Sequence, residues 1–167
     1  MPLPVQSTCP AALNMTPLDT HFSSPDGVLR TAEHILASPG LTRSEFARGI
    51  GQQAPVENYL PDYALSGTVS MRLWGHRFVG GVRFFKDVIH GVTLTLEQSR
   101  VDALGYDATE QDLLAEKKTL TAILSKHLAC APSSTSLGAD VFAFPWGAVI
   151  ARADLKSTWC GIELRYV

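Results

Sequence analysis

The chain has 167 residues, of which 46% are hydrophobic and 18% charged, and its formal net charge is -2. That is enough apolar material for one packed domain, and too little net charge for wholesale disorder. The basic excess with which nucleic-acid-binding domains neutralise phosphate is missing, and no stretch approaches the roughly 18 consecutive apolar residues of a membrane-spanning helix.

Residues 1–24 are rich in Pro, Ser and Thr and show little periodicity. They read as a flexible N-terminal arm, with no Lys or Arg before Pro17 to begin a secretory signal. Residues 25–167 read as a single α+β domain. From Asp26, the positions Leu29, Ala32, Ile35 and Leu36 fall on one face at helical spacing, so a helix is expected up to Ser38-Pro39-Gly40. A short second helix follows. Thr42-Arg43-Ser44-Glu45 matches a capping box, and Leu41 with Phe46 matches a hydrophobic staple. Gly49 and Gly51 end it.

Residues 52–67 read as a connection pinned by Tyr59, Leu60 and Tyr63. The period then changes to two. Val69, Met71 and Leu73 form one alternating set, and Phe78, Gly80, Val82 and Phe84 a second. Val88, His90, Val92, Leu94 and Leu96 form a third, after a turn at Lys86-Asp87. Gly80-Gly81 in mid-strand implies a bulge, a bend or a close approach. Thr109 and Asp112 open a long helix whose apolar stripe includes Leu113, Leu120, Leu124 and Leu128. The chain ends in a hairpin. Phe142, Phe144, Trp146, Ala148 and Ile150 alternate on the first arm, and Cys160, Ile162, Leu164 and Tyr166 on the second. The order α-α-β-β-β-α-β-β predicts an antiparallel sheet of about five strands with helices packed on one face.

Enzyme signatures are missing. There is no dinucleotide or phosphate-binding glycine loop, no HExxH and no GxSxG. Cys9, Cys130 and Cys160 are odd in number and far apart, which fits neither a disulfide framework nor a zinc site. No metal ligand set, catalytic set or cofactor is assigned. His90 stands at an apolar parity position, and a dispersed catalytic site could form around it or around one of the cysteines. The Arg72–Lys86 region mixes Arg with Trp and Phe, as single-stranded nucleic-acid binders do. The overall charge disfavours that partner, and an anionic protein surface suits the same arginines.

Trp159 lies off the parity of Cys160, Ile162 and Leu164, so it should face the opposite side of the sheet with Glu163 and Arg165. Trp and Arg are enriched at binding hot spots. Trp159, Arg152, Asp154, Lys156, Arg77 and Arg83 are therefore the candidate partner-binding residues.

Two segments carry a resemblance. One runs from Leu29 to Leu36 and on through Pro39-Gly40-Leu41-Thr42-Arg43-Ser44-Glu45-Phe46. The other comprises Phe144-Pro145-Trp146-Gly147, Asp154-Leu155-Lys156 and Ile162-Glu163-Leu164-Arg165-Tyr166. In layout, residues 28–166 resemble small cytosolic proteins of Gram-negative bacteria, some of them similar to immunity proteins encoded beside secreted toxins. The resemblance implies a cytoplasmic, non-enzymatic module that binds a cognate toxin or effector and neutralises it. The alternatives are a secretion chaperone or adaptor, and a small enzyme with a site near His90. Immunity proteins share no common motif, so no binding residue is transferred.

Overall fold

The computed structural model describes residues 16–167. Sheet dominates it, with 45% strand against 24% helix. The expectation of an α+β domain with about five antiparallel strands and helices packed on one face is therefore corrected. A mixed sheet of ten strands and a second sheet of three account for the described strands.

The chain begins with β1 (Leu18–Asp19), which pairs in parallel with β7 (Val69–Leu73). Residues 1–15 of the expected arm lie outside the described residues, and so does Cys9. The helix expected from Asp26 is replaced by the three-stranded sheet β2 (His21–Ser23), β3 (Val28–Arg30) and β4 (Ile35–Ala37). Two local devices defeat the helix. Gly27 takes φ +67, and the Thr31 hydroxyl accepts from the backbone N–H groups of Glu33 and His34. That turn occupies the amides a helix would need. Leu29 and Leu36 still reach the core, but from neighbouring strands.

Helix α1 (Arg43–Arg48) carries both capping-box hydrogen bonds of Thr42 and Glu45, and Leu41 and Phe46 are buried. The expected connection at 52–67 is instead the hairpin β5 (Val56–Leu60) and β6 (Tyr63–Ser66), turned at Asp62 with φ 68. Strands β7, β8 (His76–Phe85) and β9 (Val88–Leu96) form a meander. Both of its turns, Trp74-Gly75 and Lys86-Asp87, have positive φ at each central residue, which matches the right-handed strand twist. One edge of β8 is shared. β7 pairs with its first half and β6 with its second.

Helices α2 (Arg100–Leu104) and α3 (Glu110–Leu128) follow, and Thr109 and Asp112 form a second capping box. The terminal segment has one more break than the alternation predicts. After the short β10 (Ser134–Thr135) come β11 (Ala139–Phe144), β12 (Gly147–Asp154) and β13 (Trp159–Tyr166). The turn at Pro145-Trp146 shifts the parity. Val149 and Ala151 therefore face the core, and Ile150 lies opposite Glu163. β13 then pairs antiparallel with β9 and joins the two meanders.

The core lies between the α3 side of the large sheet and the elements folded against it. Leu113, Leu120 and Leu124 meet Val149, Ala151, Ile162 and Leu164 there. Trp146 closes one end. Its Nε1 donates to the carbonyl of Ser24 at 2.7 Å, and the Tyr166 hydroxyl donates to the carbonyl of Gly27 at 2.9 Å. Burial pushes the Tyr166 phenol pKa up. No helix among the described residues is long and apolar enough to cross a membrane.

Candidate functional site

Strand alternation gives β8, β9, β12 and β13 a second face, directed away from α3. Its residues stay outside the hydrophobic cluster. Across the strands Glu163 pairs with Thr93 on one side and Ile150 on the other, while Arg83 and Arg165 both pair with Gly91. Arg152 pairs with Gly161, two residues along β13 from Glu163.

Glu163 is the centre of this face and is 7% exposed. Its carboxylate accepts from Arg152 Nε at 2.9 Å, from Arg83 Nη2 at 3.2 Å, and from Arg165 Nε at 3.3 Å and Nη2 at 3.1 Å. Gly91 makes the Arg83 contact possible. A Cβ at that position would stand 3.0 Å from Arg83 Nη2 and 2.7 Å from the carbonyl of Leu164. The guanidinium of Arg83 thus crosses β9 over a bare backbone to reach β13. Burial alone would raise the Glu163 pKa. The charges of Arg165, Arg152 and Arg83, with the Arg165 hydrogen bond, outweigh it and hold the pKa below the usual value. Arg83 Nε is buried with no hydrogen-bond partner among the described residues.

On one side of the cluster lies Trp159, which folds back over Gly161 and donates from Nε1 to Thr95 Oγ1 at 3.1 Å. It borders a depression of about 400 Å³ that Gly81, Thr93, Glu97 and Asp102 also line. Leu65 lines the same depression, and beyond it along the β6–β8 edge an apolar patch continues to Tyr63, Phe85 and Tyr59. The Tyr63 and Phe85 rings lie 4.9 Å apart, and Leu65, Phe85 and Tyr59 are 41%, 36% and 51% exposed.

Four of the six candidate residues thus share this face. Arg83, Arg152 and Trp159 belong to the central group, while Arg77 stands farther along β8 in an ion pair with Glu97 at 2.8 Å. Asp154 and Lys156 do not join the cluster. Asp154 accepts from the backbone N–H groups of Lys156 and Ser157, which shapes the β12–β13 turn, and Lys156 is exposed in that turn. The Ser157 and Lys156 hydrogen bonds hold the Asp154 carboxyl below its ordinary range.

The candidate list omits Glu163 and Arg165, although the parity of Trp159 places them beside it. It also omits the Tyr63–Phe85 patch, because Tyr63 falls in a segment read as a connection. His90 is not at a core position. A register shift between Arg83 and Phe84 leaves it as the extra, exposed residue of β9, and Ile89 takes the buried place. Its ring is 6.4 Å from that of Phe85. No group of three His, Cys, Asp or Glu able to hold a metal ion occurs among the described residues. Cys160 is buried, with its Sγ 3.6 Å from the carbonyl of Leu113. Burial, and then the nearby Glu116, push its thiol pKa up to about 12.

In comparisons with family models, with curated proteins and with solved structures, no match to this chain is found.

Proposed function

We propose that this protein is a non-enzymatic protein-binding module of the cytoplasm, an immunity-type inhibitor that binds and neutralises a toxin or effector. The face opposite α3 is its docking surface. The observation that carries this reading is the gathering of Trp159, Arg83, Arg152 and Arg165 on a sheet face outside the core cluster. Those residue types dominate binding hot spots, and here they sit on rigid strands rather than loops. The exposed patch of Leu65, Phe85 and Tyr59 supplies the apolar area that a specific interface requires.

Inhibition by binding needs complementarity and a slow off-rate rather than a reactive group.

The test is co-expression of the protein with the product of the adjacent gene. Growth rescued by the wild type and lost with a folded Trp159→Ala variant supports the reading. A neighbouring product that is toxic and stays fully active in a stoichiometric complex overturns it. A complex that delivers a harmless cargo to secretion also overturns it, in favour of a chaperone.

A further inference from the structure

Resting on the reading that this face docks a protein, we infer that the partner presents an acidic segment, one carboxylate of which is held by Arg83, Arg152 and Arg165. Three guanidiniums surround a single carboxylate, so the cluster carries two uncompensated positive charges while the chain as a whole has a formal net charge of -2. The positive island is therefore local, and no general basic composition produces it.

Glu163 organises the donors. It already accepts four hydrogen bonds from the three arginines, which is about the capacity of a carboxylate. The guanidiniums are pinned on one edge and keep their remaining N–H groups for a second anion. Arginine forks match a carboxylate in bidentate geometry. Fixing them in advance removes much of the ordering cost of binding. The three side chains are 30%, 32% and 47% exposed, so a ligand can reach them.

The surroundings favour an acidic protein segment over a phosphate chain. The depression beside Trp159 has Glu97 and Asp102 in its lining. A nucleic-acid backbone tracking along the face would pass from three cations to Asp102 and to a Glu97 already paired with Arg77. A polypeptide can change sign from residue to residue and can place apolar side chains against Leu65 in the depression and Phe85 beyond it.

The experiment is an NMR titration of the full chain, carrying labelled arginine side chains, with an oligoglutamate peptide. Inorganic phosphate and an oligothymidylate are run in parallel. The expected result is a saturable shift of the Nε–H signals of Arg83, Arg152 and Arg165 that weakens as salt rises. Arg152→Ala should reduce the peptide affinity about tenfold. Arg165→Ala, at the most exposed of the three positions, gives a second variant if the first unfolds. The inference is overturned if the peptide leaves these signals unmoved. It is equally overturned if phosphate or the oligothymidylate binds there as tightly as the peptide. The two readings fail separately. Toxin rescue that is lost in Trp159→Ala but kept in an Arg83→Ala/Arg152→Ala variant sinks the acidic-segment inference and leaves the docking face standing. Peptide binding at the arginines without any neutralised toxin does the reverse.

Discussion

The indole of Trp159 lies against Gly161, two residues along the same strand, and is fixed there by its hydrogen bond to Thr95 Oγ1 at 3.1 Å. The missing side chain at Gly161 is the seat of the ring. A Cβ at this position would collide with the indole and with the backbone carbonyl of Leu94. Gly161→Ala is therefore expected to cost about 1–3 kcal/mol, as overpacking does, and to displace Trp159. A urea titration measures the first effect. Tryptophan fluorescence, read against a Trp159→Phe background, measures the second. An unshifted emission spectrum would show that the indole does not rest on Gly161.

Glu163 links stability to pH. Its folded-state pKa is lowered by Arg165, Arg152 and Arg83. A carboxylate depressed in this way stabilises the fold above its unfolded value of about 4.3, and that contribution is lost as pH falls through the lower folded value. Glu163→Gln leaves three guanidiniums without their counter-ion. We expect it to cost about 1–3 kcal/mol at neutral pH, between the ranges for exposed and buried pairs. The difference from wild type should shrink in acid. Denaturant midpoints at neutral pH and near pH 3 check this, and a constant difference would rule out the linkage.

How far the sequence reaches is visible in particular residues. The capping boxes of Thr42 and Thr109 and the β7–β9 alternation are local signals, and local physics realises them. Residues 26–37 mislead because Leu29 and Leu36 have helical spacing, whereas Gly27 and the Thr31 turn decide the backbone. The bulge at His90 and the turn at Pro145-Trp146 each shift a parity by one, which moves a whole set of side chains to the other face. The arginine cluster is only partly legible. Arg152 and Glu163 follow from hairpin register, but Arg83 reaches them across β9, and a contact over 80 residues has no local signature.

The two described cysteines should differ sharply in reactivity. Cys130 is exposed, whereas Cys160 is buried and has its pKa pushed up to about 12. At neutral pH almost no Cys160 thiolate exists to attack an alkylating agent. Iodoacetamide followed by peptide mass mapping should modify Cys130 in the native protein, and Cys160 only after denaturation. Native modification of Cys160 at a comparable rate would contradict the burial described for β13.

A second ion pair tests what anchors α3. Lys117 Nζ lies 3.1 Å from Asp140 and donates to the carbonyl of Ser136 at 2.8 Å, while Thr121 donates to Asp140 at 2.7 Å. Both charged side chains are nearly buried, at 11% and 13% exposure. Asp140→Ala alone strands the ammonium and should cost about 3–5 kcal/mol. Lys117→Met combined with Asp140→Leu should cost much less, because no isolated charge remains. Equal losses in the single and double variants would mean that the pair serves packing rather than charge.

The binding face should separate from the core by its effects on stability and on function. Trp159 and Phe85 lie at opposite ends of the face, and neither belongs to the hydrophobic cluster. Their removal leaves α3 and its contacts untouched. Trp159→Ala and Phe85→Ser are each expected to change folding stability by less than ~1.5 kcal/mol, whereas Leu124→Ala, in the core, should cost about 2–5 kcal/mol. Trp159→Ala should weaken partner binding by more than about 2 kcal/mol, roughly thirtyfold, as removal of a hot-spot tryptophan does. Phe85→Ser, at the flank, should weaken it less. Calorimetric titration against the neutralised toxin measures the binding losses, and denaturant titration measures the folding losses. If Leu124→Ala alone impairs binding while both face variants bind as wild type, the interface lies elsewhere on the molecule.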